Sequence, residues 1–225
     1  MAQLLSVNIG HPRTADYTDA AFTGIDKRPA RGPVAVAAPG GPTGTAGSGV
    51  AGDVIGDLHN HGGDDQAVYA YAREDLDLWE SELGRGLSNG VFGENLTTSG
   101  LDVNGALIGE RWRVGADLLL EVTSARIPCR TFAGWLEEKG WVRRFTQAAR
   151  PGAYLRVIEP GRIEAGDRVE IVARPGHDVT VEVLFRALTT EAELLPRTLA
   201  AGDALNAQSA ARIRRRLERG RGVPS

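Results

Sequence analysis

Glycine cuts this chain into short apolar runs, and that punctuation limits the fold more than any other feature of the sequence. There are 29 glycines among 225 residues, about twice the usual share of roughly 7%. Between them, residues 4–9, 111–114, 118–123, 153–158 and 168–173 alternate or run apolar over a few positions and read as strands. Glu159-Pro-Gly-Arg-Ile and Glu164-Ala-Gly-Asp-Arg supply turn chemistry at close spacing, so the strands are expected as antiparallel neighbours. Parallel pairs need crossovers of about a dozen residues or more, so a barrel or sandwich is favoured over a parallel sheet. The stretch 32–52 holds Pro33, Pro39, Pro42 and dense glycine, and reads as a loop, not a membrane span.

Helices interrupt the β pattern. Residues 66–83 place Val68, Ala72, Leu76, Trp79 and Leu83 at helical steps behind Asp64 and Asp65 as candidate caps. Residues 132–138 and 142–149 read as two shorter helices parted at Gly140. From Thr190 onward the pattern is helical, with Thr190-Glu-Ala-Glu193 as a capping box and a basic helix over 207–219. The expected organisation is mainly β with α: a β-rich body over 1–176 and a small helical appendage over 177–225. The N-terminus has neither the basic and apolar regions nor the cleavage site of a secretory signal. The expected location is therefore the cytoplasm, with no membrane partner.

Charge and thiol content exclude whole classes. Lys and Arg number 26 against 29 Asp and Glu, a net charge of −3, so a generally basic nucleic-acid binder is excluded. Arg212, Arg214, Arg215, Arg216, Arg219 and Arg221 read as a solvated helix end, favoured by cations near a helix C-terminus, in preference to a surface for nucleic acid or an acidic partner. With Cys129 alone, an internal disulfide framework, a multi-cysteine zinc site and an all-thiolate iron–sulfur cluster are excluded.

Three clusters are left to carry chemistry. Arg126-Ile-Pro-Cys129-Arg130 sets the thiol between two guanidiniums at a strand-to-helix junction. That placement favours the thiolate for attack on a substrate or ligation of a soft metal, against the alternative of a buried small hydrophobe. His59-Asn-His61-Gly62-Gly63-Asp64-Asp65 offers metal ligands, backbone amides for an anion at a helix start, or no more than a helix cap. Phe92-Gly-Glu94-Asn95-Leu96 offers a carboxylate and an amide that fix a heteroaromatic edge, or a plain turn.

Taken in order, His61-Gly-Gly-x-Asp65-x-Ala-Val, Phe92-Gly-Glu-Asn-Leu, Arg126-x-Pro-Cys129 and Gly152-Ala-Tyr-Leu-Arg-Val-Ile-x-Pro-Gly161 resemble the MOSC domain family, in its bacterial YiiM-like branch. The likeness runs from about Ile25 to Ala173. The family is related to the C-terminal domain of molybdenum cofactor sulfurase, and the resemblance implies a barrel-like β body with inserted helices. It also implies a molybdenum cofactor of the pyranopterin type, with Cys129 as the protein's ligand to molybdenum, and carries an association with pyridoxal phosphate binding. Arg126 would lie near the metal or the cofactor phosphate. His61, Gly62 and Gly63 would support the cofactor, Asn95 would hydrogen-bond pterin or substrate, and Glu94 or His61 would donate protons. Asp64 and Gln66 stand where the family often has Pro and a Lys or Arg, and residues 40–48 look like an insertion.

The implied reaction reduces hydroxylamines, amidoximes or N-hydroxylated nucleobases such as 6-hydroxylaminopurine to the parent amines. With one cysteine the chain cannot hold a cysteine-ligated electron-transfer cluster of its own, so a separate flavin or iron–sulfur reductase is the expected electron donor. A homodimer is compatible with the sequence. Two competing readings are a non-catalytic cofactor or sulfur carrier acting through Cys129, and a zinc hydrolase built on His59 and His61.

Overall fold

The computed structural model describes residues 1–40, 47–58 and 61–221, the side chains of 220 and 221 excepted. His59, six residues of the suggested insertion (41–46) and the side chain of Arg221 therefore lie outside the described residues. The described chain forms ten strands and six α-helices. The strands are β1 (Gln3–Arg13), β2 (Thr23–Pro29), β3 (Val34–Val36), β4 (Val68–Ala72), β5 (Leu96–Ser99), β6 (Arg111–Val114), β7 (Leu118–Ala125), β8 (Ala153–Glu159), β9 (Gly161–Ile163) and β10 (Val169–Ala173). The helices are α1 (Arg73–Leu83), α2 (Arg130–Leu136), α3 (Trp141–Ala148), α4 (Val181–Thr189), α5 (Leu195–Thr198) and α6 (Ala207–Arg221).

Eight strands form one sheet in the order β10-β6-β7-β8-β4-β5-β1-β2, and β3 pairs with β9 beside it. The sheet is open: no ladder joins β10 to β2, so the expected barrel is corrected to an open, mixed sheet. A single bridge from Gln3 to Arg168 brings the start of β1 round to the start of β10. The register of β1 shifts against both its neighbours, and such bulges bend the strand; beyond the Gln3–Arg168 bridge and the hydrogen bonds beside it, no ladder continues between β1 and β10.

Several local expectations are revised. Residues 68–72 form a strand, and the helix expected over 66–83 begins only at Arg73. Val68-Tyr-Ala-Tyr-Ala is buried at every position, and β-branched and aromatic residues fit a sheet buried on both faces. Asp64 and Asp65 accordingly cap nothing there; they sit in a single 3-10 turn whose N-cap has no side-chain hydrogen bond. Helix α1 then serves as the crossover between β4 and β5, which pair in parallel, the one departure from an otherwise antiparallel sheet. The turns after β8 do not link hairpin neighbours either, because β9 leaves to pair with β3 while β10 returns to β6. Strand β3 also lies inside the stretch read as loop. Thr190 ends α4 instead of opening a helix; the cap is Thr180, whose hydroxyl accepts from the Val183 N–H.

The core joins the sheet to the helices. Trp79, Phe92, Phe132, Trp141 and Phe145 pack ring against ring at centroid separations of 4.7–6.4 Å, and Phe185 of α4 meets Phe145 edge-on at 6.3 Å. Each such side chain, fully buried, contributes about 1.5–3 kcal/mol. This cluster braces the C-terminal end of β7, where the chain turns into α2.

Candidate functional site

At that turn, Pro128 precedes Cys129, whose extended backbone (φ −125°, ψ 172°) sits at the N-cap of α2 and whose carbonyl accepts the Ala133 N–H at 3.1 Å. The side chain is half-buried. Burial pushes the thiol up, but a hydrogen bond with His61, the guanidinium of Arg126 and the Phe132 N–H outweigh it and lower its pKa to about 6. The thiol is therefore mostly thiolate at neutral pH, the form that ligates soft metals.

Arg126, the first residue after β7 and the first of the motif, is 5% exposed. Its guanidinium lies 3.7 Å from the Phe132 ring centroid and 5.3 Å from that of Tyr69, and Nη1 donates to the Phe92 carbonyl. Nε is buried with no acceptor. A buried guanidinium keeps its charge, and an unsatisfied N–H beside a cavity is a place for an anion.

His61 opens the His-Gly-Gly turn, its N–H donating to the Asp57 carbonyl at 3.1 Å. Gly62 has φ 83°, and a Cβ there would stand 2.6 Å from the Gly47 carbonyl oxygen, so only glycine lets the two segments meet. The Gly63 N–H is already spent on that same carbonyl at 3.0 Å, and Gly63 is buried behind the wall that Gly62 forms. The turn leads through the single 3-10 turn Asp64–Gln66 into β4 and not into an α-helix, so no α-helix terminus adds to an anion site. Asp65 reaches instead to the far end of the chain: its carboxylate accepts the Ala207 N–H of α6 at 2.9 Å and pairs with Arg156 at 2.9 Å.

Glu94 and Asn95 hold the opposite wall. Glu94 is fully buried and its carboxylate accepts from the Gly90 N–H (2.5 Å), the Phe92 N–H (3.0 Å) and the Thr97 hydroxyl (2.9 Å). It does not line the cavity, so it is out of reach as the proton donor expected from sequence. Asn95 does line it, but its amide already accepts from the Tyr69 N–H at 3.2 Å and donates to Asp53 at 2.8 Å. Asp53 in turn accepts from the Gly10 N–H at 2.7 Å and pairs with Lys27 at 2.5 Å, both side chains almost wholly buried. Burial pushes the Lys27 pKa down, against the pull of Asp53.

These groups surround an inner cavity of about 100 Å³ that opens into an outer cleft of about 790 Å³. His61, Gln66, Cys129 and Tyr154 line both and mark the throat between them. Arg126, Asn95 and Gly62 face the inner cavity, while Asn206, Ser209 and Arg212 of the α6 end wall the cleft. Of the seven residues expected from sequence, His61, Gly62, Asn95, Arg126 and Cys129 line the inner cavity, and Glu94 and Gly63 do not.

Sequence reasoning passed over Lys27, Asp53 and Tyr154. Lys27 carried one signal: it is one of two lysines beside 24 arginines, and a compact ammonium suits a confined ion pair. Arg212 and Arg216 donate to the carbonyls of Leu188 and Ala187 at the end of α4, so part of the basic helix caps its neighbour. Among the described residues no cluster of three or more His, Cys, Asp or Glu is placed to hold a metal ion; His59, on which the zinc reading also rests, lies outside them. Nor is any described helix long and apolar enough to cross a membrane.

Comparison with known proteins agrees with this geometry. The MOSC domain model matches residues 57–170, the segment that carries His61, Asn95, Arg126 and Cys129. The uncharacterized protein YflK of Bacillus subtilis is 36% identical over 81% of this chain and 79% of its own length. A protein named reductase from Gibberella moniliformis is 31% identical over 54% of this chain, which spans only 23% of that longer protein. Among solved structures, YiiM from Geobacillus stearothermophilus is similar with a TM-score of 0.76 and 27% identity, over 96% of this chain and 100% of that one.

Proposed function

The chain belongs to the MOSC family, in its YiiM-like branch, and from that premise we propose that it is a molybdenum-cofactor-dependent reductase of N-hydroxylated compounds, with Cys129 as the protein's ligand to the metal. The observation that carries the proposal is the lone thiol at the throat of a cavity, held ionised by His61 and Arg126. A soft thiolate suits molybdenum better than hard oxygen ligands would.

The residues present fit such a group. Arg126 brings a buried positive charge and an N–H without an acceptor, which suits an anionic cofactor. Lys27 and Asp53 keep one wall polar and dry, and Asn95 holds Asp53 in place. When bound, the molybdenum cofactor would supply the electron pair for reductive removal of oxygen from nitrogen. The protein's own part is to fix the ligand sulfur, exclude bulk water from the inner cavity and deliver protons. His61, at the throat and hydrogen-bonded to Cys129, is the group placed to hold and pass a proton there. The net reaction turns R–NH–OH, two electrons and two protons into R–NH2 and water. A separate flavin or iron–sulfur reductase supplies the electrons.

The fungal relative named reductase supports the reaction class. The test is reduction of benzamidoxime or 6-hydroxylaminopurine by cofactor-loaded protein with a reduced viologen as donor. The expected result is one amine formed per electron pair consumed. Absence of any reduction, together with a persulfide on Cys129, would replace the reductase by a sulfur carrier.

A further inference from the structure

We propose that a stripe of arginines on α6, Arg212, Arg215 and Arg219, is the docking surface for an acidic redox protein that delivers electrons at the mouth of the outer cleft. The proposal rests on the reductase reading for what the partner carries, but not for the partner's binding.

Charge in this molecule is segregated. Helix α6 holds six arginines and one glutamate, a charge of +5, while the rest of the chain holds 20 Lys and Arg against 28 Asp and Glu, a charge of −8. Many arginines elsewhere are neutralised in ion pairs, as Arg113 is by Glu159, Arg168 by Glu170 and Arg197 by Asp178. Among the described residues no carboxylate pairs with Arg212, Arg214, Arg215, Arg216 or Arg219. Arg212 and Arg216 donate to the Leu188 and Ala187 carbonyls, contacts that hold the helix in place and leave its charge unopposed. A merely solvated helix end would not need that accumulation.

The helix aims the charge at the cleft. Gln208, Ser209 and Arg212 line the outer cleft in company with Cys129. Arg215 and Arg219 stand three and seven positions beyond Arg212, and so continue the same side of the helix. Both are exposed, as is Arg212, while Ile213 is buried and marks the packed side. Arg214 falls on the other flank. The stripe runs about 10 Å along the axis, and a partner seated on it faces the opening that leads to Cys129.

The surface defines the partner's chemistry. Three guanidiniums over that length fit a compact acidic patch on a globular protein. An extended polyanion such as DNA would run past the stripe onto a body of opposite sign and be repelled. The same separation steers an acidic protein to α6 and away from every other face. Each turnover oxidises the partner by two electrons, those consumed with two protons when R–NH–OH becomes R–NH2 and water.

The test measures binding of oxidised flavodoxin, an acidic FMN protein, to the protein as purified, by biolayer interferometry. Turnover of benzamidoxime by cofactor-loaded protein is followed separately, with reduced flavodoxin or reduced methyl viologen as donor. At about 0.1 M salt the Debye length is about 10 Å, close to the width of a helix, so a charge on the far flank is screened from the contact. Arg215→Glu and Arg219→Glu should each weaken flavodoxin binding, and lower flavodoxin-driven kcat/KM, by about fivefold or more. Arg214→Glu, with the same change in net charge, should lower either by less than about twofold. Viologen-driven turnover should be unchanged in all three. Near-UV circular dichroism checks folding, and the glutamine variant replaces any glutamate variant that is not folded. The surface is overturned if flavodoxin does not bind the wild type, or if Arg214→Glu weakens binding as much as Arg215→Glu. It is also overturned if a short DNA duplex binds through the same arginines more tightly than flavodoxin. Stripe-dependent binding without viologen-driven turnover would leave the surface standing and remove the reductase. Viologen-driven turnover with flavodoxin binding unchanged in the variants would do the reverse.

Discussion

Replacing Glu94 by glutamine separates a structural carboxylate from a catalytic one. Glu94 accepts three hydrogen bonds at 2.5–3.0 Å with no solvent access, two of them on Oε1 and the third, from the Phe92 N–H, on Oε2. In Glu94→Gln one oxygen becomes an NH2 group. If the carbonyl stays with Gly90 and Thr97, the new amide faces the Phe92 N–H, and two donors confront each other. The lost bond is charge-assisted, worth roughly 1.5–3 kcal/mol, and with the unpaired donor the total is about 3 kcal/mol. For a domain of this length that corresponds to a fall in Tm of about 6–12 °C, read by thermal denaturation. Turnover at 20 °C, per folded molecule, should stay within about threefold of the wild type, because Glu94 does not reach the cavity. An unchanged Tm with turnover reduced about a hundredfold or more would refute this reasoning and restore Glu94 as a proton donor.

Three further outcomes are expected. Alkylation of Cys129 by iodoacetamide in cofactor-free protein should rise with pH through a midpoint near 6, and His61→Ala should move the midpoint up; a midpoint near the ordinary thiol value in both would contradict the assigned contacts. Gly62→Ala puts a Cβ 2.6 Å from the Gly47 carbonyl at positive φ and should cost at least about 2 kcal/mol, measured by urea denaturation. Burial raises the Asp75 pKa to about 6, against a hydrogen bond from Asn104. The folded state therefore binds its proton more tightly than the unfolded chain, and the penalty grows as pH rises from about 4 to 6. Asp75→Asn should gain up to about 3 kcal/mol relative to wild type at pH 7 and nothing near pH 3, and a gain independent of pH would contradict that origin.

The strands whose runs are bounded by glycine or turn residues were legible in the sequence: β6 matches its expected span, and β1, β7, β8 and β10 differ only at their ends. What the sequence concealed has a common cause. Val68 to Ala72 is buried on both faces, which erases the alternation that would distinguish a strand, so its apolar positions merged with the period of α1. Whether a sheet closes depends on bulges and end-strand register, as in β1, and neither has a local signature. In the site, Arg126, Cys129 and His61 could be read because they fall in short contiguous motifs with recognisable chemistry. Lys27 with Asp53, and Tyr154 against Tyr69, are brought together only by pairing of β4 with β8 and by the approach of the 47–58 segment to β1. Glu94 carried the right residue type for acid–base chemistry, but only its three donors reveal that it holds the loop together.

The central claim is that Cys129 is the protein's bond to molybdenum. The most direct measurement is molybdenum per chain, by elemental analysis, for wild type and Cys129→Ser purified from a host that makes the cofactor. The account predicts close to one metal per wild-type chain and loss of most of it in the variant. A Cys129→Ser protein, folded and carrying as much molybdenum as the wild type, would contradict it.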